Sequence, residues 1–221
     1  MNRKQKEIIL KTAKYAETTL GREATGHDWL HVKRVWLNAK MIGKSSKADM
    51  FIVELAALLH DIADWKFHGG DSSAGPRKAE AWLQKLNIDA KSIAHVTSII
   101  EKASFKGAKV ENRIDTLEGQ IVQDADRLDA IGAIGIARAF AYGGAKGREI
   151  YNPDTKPVLH NSAATYAKNT SPTINHFYEK LLLIKNLMNT KKGKLAARRR
   201  HQFMKHFLQQ FDYEISGHKQ D

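Results

Sequence analysis

The spacing of apolar side chains sets a helical rhythm through most of the chain. Across residues 3–20, Ile8, Ile9, Ala13, Ala16 and Leu20 fall on one face of a helix, with charged residues on the other. Trp29, Val32, Val35, Trp36 and Ala39 repeat the pattern across 28–42, before Lys44-Ser45-Ser46-Lys47 interrupts it. Residues 48–66 carry a nearly continuous apolar centre, FIVELAALLHDIADW, and predict a buried helix. HGGDSSAGP at 68–76 reads as a loop. Helices are predicted again over about 77–86, 89–103, 116–141 and 173–213, with Gly193 a point at which the last divides in two. No alternating stretch is long enough to demand a sheet, although a short hairpin fits within 143–172. The expected fold class is all-α: one helical domain over 1–221, with a long irregular loop near 143–172.

Composition narrows the chemistry. Hydrophobic residues make up 42% of the 221, an ordinary globular share that leaves a sizeable core. There is no cysteine, which excludes disulfides, thiolate zinc sites and a cysteine nucleophile but leaves His, Asp and Glu as metal ligands. The charged start, MNRKQKEIILKTAKYAETTL, has no apolar core of a secretory signal, and no apolar run approaches bilayer length. A cytoplasmic protein with no membrane partner is the expectation. The net charge of +12 suits an anionic partner without choosing among nucleotide, nucleic acid and phosphorylated metabolite.

The strongest chemical feature is His60-Asp61 at the end of the most apolar segment, where an unpaired carboxylate would be costly. A solvated pair at a helix end is the plain alternative for this dipeptide alone. It has company, however. Upstream stand His27 and His31 at i,i+4, and downstream Asp124, Asp126 and Asp129 lie on an otherwise apolar stretch. Carboxylates and imidazoles set on apolar helices need a balancing charge, which a divalent metal supplies.

Three stretches, GHDWLH at 26–31, LLHDIAD at 58–64 and QDADRLDAIGAIGIAR at 123–138, resemble the motifs of bacterial HD-domain metal-dependent phosphohydrolases in order and separation. The resemblance covers most of the chain and implies a helical HD bundle whose metal core spans about 26–141. It implies one divalent ion held by His31, His60, Asp61 and Asp126, with His31 favoured over His27 and Asp126 over Asp124. Two imidazoles and two carboxylates leave octahedral positions for water or substrate. Such a set suits Mn²⁺ best, with Fe²⁺, Co²⁺, Ni²⁺ and Mg²⁺ as alternatives. His95 is the one candidate for holding a second ion, and a single metal is preferred.

Asp64, three residues after Asp61 on the same helix face, is by that resemblance the acid–base candidate. Arg34, Lys66 and Lys106 are the candidate phosphate contacts as a set, and Asp129 a candidate for supporting a ligand or holding a sugar hydroxyl. His176 and Lys180, at i,i+4, are further candidates for the cleft. The function these residues imply is hydrolysis of a small phosphorylated substrate, a nucleotide above all, with release of phosphate or pyrophosphate. The rival reading takes Lys191, Lys192, Lys194 and Arg198 through Arg200 as a nucleic-acid surface on a protein whose metal is structural. No nucleic-acid motif accompanies that run and aromatic residues do not interleave it, so nucleic acid is the less favoured partner.

Overall fold

The computed structural model describes residues 1–21, 28–63, 71, 73–103, 114–159 and 170–217. Among these there are α-helices, one 3-10 helix and no strand. None of the helices is long and apolar enough to cross a membrane. The chain divides into two compact units, one formed by described residues up to Asp126 and the other by those from Arg127 onward.

The first unit contains α1 (Arg3–Leu20), α2 (Trp29–Gly43), α3 (Met50–Leu59), α4 (Ala74–Lys85), α5 (Ala90–Ala103) and most of α6 (Leu117–Asp129). Every residue of α3 from Phe51 to Leu59 is buried, and α1, α2 and α5 pack around it. Full burial of a leucine such as Leu55, Leu58 or Leu59 contributes about 1.5–3 kcal/mol. Glu54 is the one charged side chain inside α3, where it accepts a hydrogen bond from Trp36 Nε1 at 2.7 Å. Trp82 of α4 stacks on Tyr15 of α1 at 3.9 Å and donates Nε1–H to Thr12. Four asparagine or aspartate caps fix where helices begin: Asn2, Asp28, Asp49 and Asp89 each accept a backbone N–H of the first turn.

The apolar pattern over 48–66 predicts a longer helix than α3, which ends at Leu59. The His60 ring takes the Ala57 carbonyl at 2.8 Å, and Ile62 N–H reaches back to Leu59, so a turn follows through Ala63. The helix expected over 116–141 likewise divides, with α7 running Gly132–Ala145. Gly132 sits at φ +79°, a conformation that ends a helix and that glycine alone adopts cheaply.

The second unit contains α7, α8 (Thr173–Glu179), a 3-10 helix (Leu181–Leu187) and α9 (Lys191–Ile215). The predicted segment 173–213 is therefore three elements. Its breaks fall at Lys180 and at 188–190, whereas Gly193 lies in the first turn of α9, which Thr190 caps. Phe140, Phe177, Phe207 and Phe211 form its aromatic core, with neighbouring ring centroids about 6 Å apart. Between Lys146 and Pro172 the described residues contain neither helix nor strand. They are nevertheless tied down: Thr173 and Ile174 donate to the Glu149 and Ile150 carbonyls, and buried Glu179 accepts from Val158 N–H and Ser171.

Candidate metal centre

The GHDWLH motif acts first through its aspartate. Asp28 Oδ1 accepts the backbone N–H of His31 at 2.8 Å, so α2 begins with His31 in its first turn. The histidine side chain is then buried beside the end of α3. His60 and Asp61 follow α3 directly, and Asp126 lies near the end of α6. Three elements distant in sequence thus deliver four polar side chains to one place.

His31 Nε2 stands 3.2 Å from His60 Nε2, 3.3 Å from Asp61 Oδ2 and 3.5 Å from Asp126 Oδ1. His60 Nε2 is 3.6 Å from the Asp61 oxygen and 3.9 Å from that of Asp126. The imidazoles are 1% and 5% exposed, the carboxylates 14% and 29%, so the cluster opens to solvent on its carboxylate side. His60 Nδ1–H donates to the Ala57 carbonyl, which leaves the lone pair of the neutral ring on Nε2, toward the cluster.

His31, His60 and Asp126 satisfy the geometry of a metal-ligand group, and the near Asp61 oxygen adds a fourth donor beside them. Donors around one ion at about 2.1 Å stand about 3–3.5 Å from one another. The observed separations need only a small inward adjustment. Buried nitrogen lone pairs and two carboxylates fit a divalent cation by donor type as well.

The other sequence candidates fall in different places. His27, Asp64, Lys66 and Lys106 lie outside the described residues. Arg34 is half-buried on α2, one turn after His31. Asp124 is fully buried on α6. His95 stands on α5 with its Nε2 3.8 Å from Glu118. Asp129 is buried in an ion pair with Arg138, whose Nη1 is 2.7 Å from Oδ2. Sequence reasoning left Arg138 without a role, although it closes the QDADRLDAIGAIGIAR motif.

His176, in the second unit, is held down to about pKa 3 by burial and then by the charges of Lys180 and Arg148. It is neutral at physiological pH. Arg148 and Lys146 lie over the exposed ring of Tyr142, at 5.4 and 5.9 Å.

A family model for the HD domain matches residues 29–131. The chain is 39% identical over 206 residues to the uncharacterized protein YpgQ of Bacillus subtilis, spanning 92% of this chain and 91% of that one. A crystal structure of an HD-superfamily hydrolase from Bacillus thuringiensis is 41% identical, with 97% and 100% of the two chains covered and a TM-score of 0.77. The crystal structure of B. subtilis YpgQ in complex with ADP is 38% identical over 95% of this chain and 98% of that one, with a TM-score of 0.72.

Proposed function

The chain belongs to the HD-domain superfamily of metal-dependent phosphohydrolases, and we propose that it hydrolyses a phosphoester or phosphoanhydride bond of a nucleotide. The observation that carries the reading is the convergence of two imidazole nitrogens and two carboxylate oxygens within 3.2–3.9 Å in the first unit. The ADP bound to YpgQ supports the nucleotide class.

In this reading His31, His60, Asp61 and Asp126 hold one divalent ion, Mn²⁺ by preference. Such an ion supplies a nucleophilic water at neutral pH and neutralises developing phosphoryl charge. Asp61 and Asp126 offset its charge and present it on the open side. The Ala57 carbonyl fixes the His60 ring so that Nε2 cannot turn away. Asp64 takes the proton of the attacking water and returns it to the leaving oxygen. Arg34, Lys66 and Lys106 neutralise non-bridging phosphoryl oxygens, stabilising charge that grows in the transition state. Asp129, locked to Arg138, supports the last turn of the helix that carries Asp126.

The test is release of phosphate or pyrophosphate from a panel of nucleoside mono-, di- and triphosphates, using chelator-stripped protein resupplied with single metals. Turnover of at least one nucleotide, restored best by Mn²⁺, is the expected result. No release from any of them with Mn²⁺, Fe²⁺, Co²⁺, Ni²⁺ or Mg²⁺ contradicts the proposal.

A further inference from the structure

The second unit concentrates charge in a way that the hydrolase reading does not use. From Lys180 to Phe211 the sequence has nine lysines and arginines and no aspartate or glutamate, so this segment carries three quarters of the chain's net +12. Lys191, Lys192, Lys194, Arg198, Arg199 and Lys205 are all exposed on α9. Of these, Lys191, Lys194, Arg198, Arg199 and Lys205 make no ion pair with a carboxylate among the described residues. A helix rises 1.5 Å per residue, which spreads these cations over about 20 Å.

Two apolar side chains are exposed within the same stretch, Leu195 and Phe203. Lys192, Leu195, Arg199, Phe203 and His206 succeed one another at intervals of three or four, and so form one stripe. An exposed aromatic ring therefore lies between cations on the helix surface, which the linear sequence conceals. Beside this helix, Lys185 Nζ lies 3.3 Å from His201 Nε2. Burial, with Lys185 and then Lys205, holds that imidazole below its ordinary range against the pull of the Leu182 carbonyl. The ring is neutral and accepts from the Lys185 ammonium, which keeps its positive charge.

We propose that the exposed face of α9 from Lys191 to His206, with Lys185 beside it, is a docking surface for single-stranded nucleic acid. The cations match a flexible line of phosphates, and Phe203 offers a face on which one base stacks without regard to sequence. A membrane surface fits less well. The apolar stripe of α9, Ala197, Met204 and Leu208, is buried within the protein and has no acyl region to enter. None of its residues is one of the metal-ligand residues, so this proposal stands or falls independently of the hydrolytic one.

The full chain is titrated against fluorescein-labelled oligo(dT) and oligo(U) of about 16 nucleotides, a length within reach of one binding surface, and followed by anisotropy. Six cations on a single strand give a log–log salt slope of about −4, a loss of roughly 10²-fold in affinity between about 50 and about 200 mM salt. The triple variant Lys194→Glu, Arg198→Glu, Lys205→Glu should lose roughly 10²-fold or more at low salt, and Phe203→Ser roughly 10-fold. Nucleotide turnover should be unchanged in both. If the charge-reversed protein does not fold, as circular dichroism would reveal, the milder triple glutamine variant should still lose roughly 10-fold. Absence of oligonucleotide binding by the unmodified chain, or equal binding by these variants, overturns the proposal. So does preferential binding to phosphatidylserine vesicles over either oligonucleotide, since that outcome assigns the surface to a membrane.

Discussion

Two pairs of shielded histidines occupy opposite electrical surroundings in this molecule. In the first unit, His31 and His60 face Asp61 and Asp126, whose oxygens lie 3.3–3.9 Å from the imidazole nitrogens. In the second, burial first and then nearby cations hold the rings neutral, Lys180 and Arg148 beside His176 and Lys185 and Lys205 beside His201. The same ring therefore serves two purposes. Where carboxylates surround it, its lone pair joins a set of donors suited to a cation. Where lysines and arginines surround it, it stays neutral and lets positive charge gather, which suits an anion.

The largest effect is expected from removing the carboxylate-bound pair of rings or its acids. His60→Ala and Asp61→Ala should each abolish metal retention and turnover together, read by elemental analysis and the phosphate-release assay. Near-normal turnover in either variant would break the contrast, because the first cluster would then be no more chemical than the second.

A substitution at Asp64 tests the proposed acid–base step separately from metal holding. Asp64→Asn should keep the metal and lose roughly 10²-fold or more in kcat. A parallel loss of metal would make Asp64 a ligand instead.

A third effect concerns the ion pair between buried Asp129 at the end of α6 and half-buried Arg138 on α7. Arg138→Met leaves the Asp129 carboxylate buried without its guanidinium, a change that costs about 3 kcal/mol and is read by denaturant unfolding. Arg138→Lys should recover part of the loss. If Arg138→Met unfolds at the same denaturant concentration as the unmodified chain, the pair supports nothing.

The effect that is smallest per step of the variable is a pH slope on the cationic side. His176 titrates near 6.5 when unfolded and about 3 when folded, so the folded form disfavours its proton. Its contribution is complete above pH 6.5 and is lost as the pH falls toward 3. Asp71, held low by hydrogen bonds from Ser73 and Arg77, begins to give up its own contribution only near its unfolded value of 3.8. Between pH 6.5 and about 4, in chelator, unfolding free energy should therefore fall by up to ~1.4 kcal/mol per pH unit for His176. His176→Gln should flatten the slope, leaving the part due to His201. An unchanged slope would show that His176 does not carry this linkage.

Much of this arrangement was legible in the order of residues. The i,i+3,i+4 spacing marks α1 and α2 because each has one apolar face, and the all-α architecture follows from such faces. Helix ends were less legible. Nothing in FIVELAALLHDIADW signals a stop at Leu59, because a histidine ring folding back on the Ala57 carbonyl is a three-dimensional event. Gly132 reads as an ordinary small residue until its positive φ shows why α6 and α7 are separate. Gly193 misled in the other direction, since Thr190 caps a helix that runs through it. At the site, three motifs identified the residues that now converge on one point. The Arg138–Asp129 pair escaped notice because residues nine apart meet only across the break between two helices. Phe203 was invisible as a surface aromatic because exposure depends on which face of α9 the core consumes.

Whether four side chains in the first unit hold a single divalent ion is read from Mn²⁺ binding to chelator-stripped protein, followed by electron paramagnetic resonance. One tightly held ion per chain is expected, lost in His31→Ala and Asp126→Ala and retained in Asp124→Asn. An ion held with undiminished affinity after either His31 or Asp126 is removed would contradict it.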